Sequence, residues 1–271
     1  MTTTTRAWDR PFFKAAENKP EVIAHRGGAR QWPGETIFAF EQALAIGVDV
    51  IEMDVRSTAD DKLVLIHNDT VDETTNVTGP VRKFSLEDLQ NLDAGYRWTA
   101  DGKTFPFRGQ GIKVPTLEEV LERFPGQRMN IEIKQKEPSI VEACAEMLRK
   151  HKMRDKVLVA SMSDGVLEHF RRVAPEVATS AGGTELIKFI LGSRLMPSSV
   201  KAPDTDSIQV KSKFSFLPIM TARVVRAAHR LGMPIHAWTV NDLADMRRVI
   251  SLGVDGIITD FPGPLLELLG R

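Results

Sequence analysis

Between Ile23 and Asn68 the chain sets two histidines and two acids on otherwise apolar runs. Ala24-His25-Arg26-Gly27 closes the first run, Ile51-Glu52-Met53-Asp54-Val55 is the second, and Leu63-Val64-Leu65-Ile66 leads into His67. Alternate residues of a strand share a face, so Glu52 and Asp54 point one way and Ile51, Met53 and Val55 the other. Two carboxylates held side by side repel unless a cation lies between them. Hard oxygen donors suit Mg2+ or Ca2+. Two histidines beside such an ion can divide the work of general acid and base. A solvated strand face would also tolerate two acids, but the apolar setting and the flanking histidines favour the ion.

Further candidates follow the same alternation. Glu132 and Lys134 share a face of the run Met129 to Lys134. Glu132 can complete a three-carboxylate metal site; the alternative is an internal ion pair with Lys134. Arg26 and Lys134 are candidate phosphate contacts, since Arg recognises phosphate bidentately and Lys acts as a point charge. A salt bridge to a neighbouring acid is the alternative for Arg26. Trp238 shares a face with His236 and can pack against an alcohol or a glycerol backbone, or simply cap the core. His236, deeper in its strand, reads as a packed, hydrogen-bonded histidine. His151, His169 and His229 fall in helical patterns and read as structural. Asp260 ends the last apolar run, either ordering a site or capping the next turn.

The elements that position these residues alternate. Eight strands are predicted: Val22–His25, Val48–Val55, Met129–Lys134, Val157–Ser161, Val177–Ala181, Ser207–Val210, Pro234–Val240 and Gly256–Thr259. Most are followed by a helix, at Thr36–Gly47, Thr116–Phe124, Pro138–Lys152, Asp164–Val173, Glu185–Met196, Thr221–Leu231, Asp242–Leu252 and Pro264–Leu269. Such alternation implies a parallel sheet, and eight units closing on themselves make an α/β fold, the (β/α)8 TIM barrel. Thr58–Lys62 is too short for a crossover helix, so Leu63–His67 is expected to return beside the second strand. Residues 68–113 break the rhythm and read as an insertion on the C-terminal face, with one short helix at Ser85–Leu92 capped by Ser85 and Asp88. Residues 1–20 read as a polar arm tethered by Trp8, Phe12 and Phe13, and 21–271 as the barrel. His25, Glu52, Asp54, Glu132, Lys134 and Trp238 all fall at strand C-termini, the rim where barrels carry their chemistry.

Composition narrows the classes. The 271 residues are 42% apolar with a formal net charge of zero, which opposes a general electrostatic surface for nucleic acid or anionic membrane. The single cysteine, Cys144, excludes an intrachain disulfide and reads as a small buried hydrophobe. The ten methionines read as core filler. No secretory signal or membrane span is evident, and a soluble cytoplasmic protein is expected.

In order and spacing these motifs resemble the glycerophosphodiester phosphodiesterase family. The matching pieces are HRG at His25 to Gly27, ExD at Glu52 to Asp54, Thr58-x-Asp60-Asp61 leading to Val64 and His67, and Thr74-Thr75. EIK at Glu132 to Lys134, WTVN at Trp238 to Asn241 and GVDGIITDFP at Gly253 to Pro262 complete the series. The resemblance implies metal-dependent cleavage of a glycerophosphodiester to glycerol 3-phosphate and an alcohol. It implies one divalent cation, Mg2+ or Ca2+, on Glu52, Asp54 and Glu132, with His25 and His67 as acid and base. Arg26, Lys134 and Trp238 are the expected substrate contacts. The implied partner is a small-molecule phosphodiester, with no nucleic acid and no integral membrane segment.

Three positions depart from the family pattern. Pro-Glu-Asn-Thr reads Pro33-Gly34-Glu35-Thr36, the Asp that commonly follows the second histidine is Asn68, and the Arg before Thr-Thr is Glu73. Glu35 is placed to replace the lost acid one position along. Two other functions share these residues: a phospholipase D-type enzyme acting on lysophospholipids or sphingolipids, and a barrel that binds phosphodiesters without turnover. For the first, Leu186–Met196 and Phe214-Ser215-Phe216-Leu217 would seat an acyl chain; ordinary helix and core is the favoured reading.

Overall fold

The computed structural model describes residues 7–14, 20–196, 199–215 and 217–271. The remainder of the expected arm (1–6 and 15–19), Pro197 and Ser198 of the connection after the long helix, and Phe216 lie outside the described residues.

The strands, in chain order, are β1 (Glu21–Ala24), β2 (Val50–Ser57), β3 (Leu63–Leu65), β4 (Met129–Ile133), β5 (Val157–Ala160), β6 (Ala178–Thr179), β7 (Ile208–Lys211), β8 (Lys213–Phe214), β9 (Leu217–Pro218), β10 (Ile235–Trp238) and β11 (Gly256–Thr259). Eight of them run parallel in the order β6-β5-β4-β2-β1-β11-β10-β7. A parallel bridge from Ser180 to Ser207 joins the two ends, so the sheet closes into the expected barrel. β3 returns antiparallel beside β2, with Val55 opposite Leu65.

The helices are α1 (Pro11–Lys14), α2 (Ile37–Ala45), α3 (Leu86–Gln90), α4 (Leu117–Arg123), α5 (Val141–Lys150), α6 (Asp164–Val173), α7 (Gly183–Leu195), α8 (Ala222–Arg230), α9 (Leu243–Ser251) and α10 (Pro262–Leu268). α2, α3, α4 and α9 start where side-chain acceptors meet free N–H groups. Thr36 caps α2 through Ala39 N, and Ser85 and Thr116 form capping boxes with Asp88 and Glu119. No helix among the described residues is long and apolar enough to cross a membrane.

Some boundaries differ from expectation. β1 stops at Ala24 because His25–Gly27 turns, with Arg26 at φ 52° and Gly27 at φ 78°. A Cβ on Gly27 would approach Ala39 Cβ to 2.9 Å, so only glycine fits. α10 begins at Pro262, two residues early, because proline is tolerated in a first helical turn. The β8–β9 hairpin was not anticipated; Pro218 hides it from a strand reading. Two methionines are not core filler: Met162 is 57% and Met196 63% exposed. The expectation of ordinary core for Leu186–Met196 also fails in part. α7 buries Leu186, Phe189 and Ser193 but exposes Ile187, Leu191 and Leu195.

Side chains pointing into the barrel form a compact column: Ile23, Val50, Leu158, Ala178 and Ile258. Phe12 and Phe13 close its lower end, both fully packed, with the Phe13 ring 6.3 Å from that of His236. Arg128 fastens this plug. It pairs with Glu21, donates to Phe12 O at 3.3 Å, and lies 5.4 Å from the centroid of the Phe12 ring. Arg10 Nε also donates to Asp206 Oδ1 at 2.8 Å. With the lower end sealed, the polar members of the same inward-facing rows are left at the mouth. Cys144 is buried and burial pushes its thiol up to about 12, so it stays protonated.

Candidate active site

Strand register decides which side chains meet. Ala24 pairs with Ile51 and with Thr259, so the next residues, His25, Glu52 and Asp260, converge. Asp54 pairs directly with Glu132. β3 and the residues after it bring His67 back to the same end, where Ile66 N donates to Asp54 O at 3.1 Å.

Carboxylate oxygens of Glu52, Asp54 and Glu132 all lie within 4.8 Å of one another. Arg26 Nε sits 3.1 Å from Asp54 Oδ2, and Lys134 Nζ sits 3.2 Å from Asp54 Oδ1 and 2.8 Å from Glu132 Oε2. Both cations thus face the acids, and neither Asp54 oxygen receives a well-directed hydrogen bond. Arg26 N donates to Glu52 Oε2 at 2.8 Å. Burial of these groups opposes charge, and the outcome differs by neighbour. Burial and the Asp54 charge push Glu52 up to about 7 and also raise Glu132. Burial would raise Asp54 too, but Lys134 and Arg26 outweigh it and hold Asp54 low.

Glu35 is a fourth acid at this point. It is buried in a left-handed conformation, φ 62°, and its Oε1 accepts from Asp54 N at 3.0 Å. Burial, then the charges of Asp54 and Glu52, raise it well above the usual carboxylate range. Its side chain reaches the cluster, one position along from the acid the resemblance would place there.

The histidines are held differently. His25 Nδ1 donates to Asp260 Oδ1 at 2.6 Å, and His25 Nε2 is 4.0 Å from Glu52 Oε2. Burial lowers its affinity for a proton, but Glu52 and Asp260 outweigh that and the net shift is upward. His67 Nδ1 donates to Asn68 Oδ1. Burial lowers His67, the Asp54 charge opposes this, Arg26 and Lys134 add to it, and the net shift is downward.

Asp260, whose role the sequence left open, is therefore the partner of His25. Asn241 orders it in turn: Asn241 Nδ2 donates to Asp260 Oδ2 at 2.6 Å, and Asp260 N donates to Asn241 Oδ1 at 2.9 Å. This explains the last residue of the WTVN motif, to which no role was assigned. The signal was present in barrel closure, which must place the eighth strand beside the first.

Two cavities meet at Arg26 and His67. One, of about 140 Å³, is the mouth, lined by His25, Glu52, Glu132, Lys134 and Trp238 among others. The other, of about 380 Å³, lies under the 68–113 insertion and is lined by Glu35, Asn68, Glu73, Arg97 and Trp98 among others. The insertion keeps a small core of Val71, Val81, Leu89 and Ala94 against Val64, Ile66 and Val114. Trp238 Nε1 donates to Gln209 O at 3.0 Å, which fixes the indole at the mouth.

The remaining histidines are not at this site. His236 is fully buried in the barrel, with Gln209 Nε2 3.5 Å from its Nδ1. His151, His169 and His229 face Glu118, Glu142 and Asp255 on the outer layer. Glu118, Glu122 and His151 also approach one another, but Lys150 already pairs with Glu118.

The profile of the glycerophosphoryl diester phosphodiesterase family matches residues 25–264. A glycerophosphodiester phosphodiesterase of Caldanaerobacter subterraneus is 33% identical over 261 residues, covering 93% of this chain and 99% of its own. Among solved structures, the corresponding domain of a Mycobacterium tuberculosis protein superposes with a TM-score of 0.81 at 22% identity, over 94% of this chain and all of that domain. A phosphodiesterase of Oleispira antarctica, solved with the product sn-glycerol-3-phosphate, superposes with a TM-score of 0.74 at 25% identity, over 93% and 98% of the two chains.

Proposed function

Because the chain belongs to the glycerophosphoryl diester phosphodiesterase family, we propose that it hydrolyses glycerophosphodiesters to glycerol 3-phosphate and an alcohol. A divalent cation held by Glu52, Asp54 and Glu132 takes part. The observation that carries this reading is the meeting of three carboxylates within 4.8 Å, beside two histidines that line one mouth. An all-oxygen donor set with two raised carboxylates fits a hard cation, Mg2+ or Ca2+. When bound, the ion supplies Lewis-acid stabilisation of charge on the phosphoryl oxygens.

The side chains supply the proton transfers. Asp260 and Asn68 accept hydrogen bonds from the Nδ1–H groups of His25 and His67, which leaves each Nε2 to exchange a proton with substrate. One Nε2 withdraws the proton of the attacking glycerol 2-hydroxyl, and the other protonates the leaving alkoxide as the P–O bond breaks. Water then opens the cyclic phosphate with the two roles reversed. Arg26 and Lys134 bind the phosphate, and Trp238 packs against the glycerol. Residues 21–271 act as one catalytic unit, with 68–113 walling the second cavity and the N-terminal arm at the far end of the barrel. The lone, buried Cys144 is compatible with a reducing, cytoplasmic setting.

The test is release of glycerol 3-phosphate from glycerophosphocholine, with EDTA and then with Mg2+ or Ca2+ restored. Release that EDTA stops and metal restores supports the reading. Release indifferent to EDTA removes the metal from it, and no release with either metal defeats it. The exposed apolar side chains near the mouth favour a second reading, a phospholipase D-type reaction on lysophospholipids. Choline release from lysophosphatidylcholine, faster than from glycerophosphocholine, would establish that one instead.

A further inference from the structure

Six of the nine large apolar side chains that stand exposed among the described residues lie on one side of the barrel: Met162, Ile187, Leu191, Leu195, Phe214 and Leu217. Met162 follows β5, α7 follows β6 and the β8–β9 hairpin follows β7, so all three segments leave the C-terminal ends of adjoining strands. They are tied together. Gly183 N donates to Met162 O at 3.2 Å, and Arg194 Nη2 donates to Pro218 O at 2.6 Å and Ile219 O at 3.0 Å. Ile187, Leu191 and Leu195 recur every four residues and form one stripe on the outer face of α7. A contiguous apolar surface of this kind on a folded chain marks an interaction site.

The surrounding charge indicates what covers it. Residues 183–223 contain Lys188, Arg194, Lys201, Lys211, Lys213 and Arg223, against Glu185, Asp204 and Asp206. Two of those acids are already neutralised from outside the segment, Glu185 by Arg171 and Asp206 by Arg10, and among the cations Lys213 lies 3.4 Å from Asp245 Oδ1. The chain as a whole is neutral, so the basic excess is local. A bilayer rich in anionic lipid satisfies both features at once: the apolar side chains enter the headgroup boundary and the lysines reach up to the phosphates.

We propose that the surface formed by Met162, the outer face of α7 and the β8–β9 hairpin docks this protein on anionic membranes. The surface adjoins the mouth. Met162 and Leu186 line the mouth cavity, and Lys211 Nζ lies 5.9 Å from the centroid of the Trp238 ring. Attachment through this surface is independent of which phosphodiester is cleaved.

Cosedimentation of the full chain with phosphatidylcholine vesicles, with and without phosphatidylglycerol, tests it. The expected result is binding to the mixed vesicles only, weakened by added salt. The combined variant Leu191→Gln, Leu195→Gln, Phe214→Ser should lose about tenfold or more of that affinity. Its melting temperature and its turnover of a soluble glycerophosphodiester should be unchanged. Ile46→Gln, exposed just after α2 and outside this surface, should bind as the parent does. If the combined variant does not fold, Lys188→Glu with Lys201→Glu takes its place, with the same expected loss. No binding to the mixed vesicles, or equal binding by parent and variants, overturns the proposal. So does a parent dimer that the same substitutions dissolve, which would assign the surface to a second copy.

Discussion

His25 Nδ1 donates to Asp260 Oδ1 at 2.6 Å across the seam where β11 closes on β1. The bond fixes both the tautomer and the orientation of the imidazole, and Asn241 fixes Asp260. Asp260→Asn should therefore lower kcat by about tenfold or more with little change in KM, the pattern of a lost orienting contact in acid–base catalysis. The Asp260 carboxylate also raises His25. The limb of the pH–rate profile that belongs to His25 should move to lower pH in the variant. An unmoved profile with raised KM would instead assign Asp260 to substrate binding.

His25→Ala and His67→Ala should each cost about 100-fold or more in kcat while the far-UV circular dichroism stays that of the parent, as loss of a general acid or base does. Both side chains are partly exposed at the mouth, so neither substitution opens the core. Asn68→Asp should shift the His67 limb of the profile upward, because a carboxylate on Nδ1 favours the imidazolium more than an amide oxygen does. Titration of rate against pH in the two proteins decides this.

Stability in EDTA should show the strain that the acids impose. Glu52 is raised in the fold, from its ordinary 4.5 to about 7, by burial and then by Asp54. Between those two values the folded chain holds more protons than the unfolded one, so this group's contribution falls as pH rises through the window. Glu52→Gln should melt at a higher temperature than the parent in EDTA, with the gap widening from pH 4.5 to pH 7. Saturating Mg2+ or Ca2+ should narrow the gap by stabilising the parent alone.

His236 predicts the opposite slope. Burial holds it down to about 4, with Asp255 opposing and Arg128 assisting. Below its ordinary 6.5 the unfolded chain takes up a proton that the folded chain does not, so stability falls as pH drops from 6.5 to about 4. The span corresponds to about 3 kcal/mol. His236→Leu should flatten that part of the urea-unfolding curve against pH, and an unchanged slope would show that other groups set it.

The aromatic plug should matter to stability out of proportion to its position near the start of the chain. Phe12 is 1% and Phe13 3% exposed, against the barrel's lowest layer. Phe12→Ala should cost about 3–5 kcal/mol in urea unfolding, the range for emptying a buried aromatic site.

Much was legible in the chain itself because two local rules suffice for it. Apolar runs of strand length alternating with helical patterns imply a barrel, and the period of two places Glu52 with Asp54 and Glu132 with Lys134 on inward faces. The capping boxes at Ser85 and Thr116 are likewise contained in a few consecutive residues. What tertiary structure decided is what depends on register and closure between distant segments. Barrel closure implies that the last strand lies beside the first, but that Asp260 holds His25, 235 residues away, was decided by the register at that seam. For Arg26 and Lys134 the sequence left both a salt bridge and a phosphate contact open, and for Glu35 only a place near the lost acid; the tertiary structure turns both cations toward Asp54 and brings Glu35 to the same cluster with its pKa raised, by burial and the charges of non-adjacent strands. The exposed stripe of α7 was hidden for the same reason: its composition is that of a core helix, and only the packing of Leu186 and Phe189 inward determines that Ile187, Leu191 and Leu195 face out.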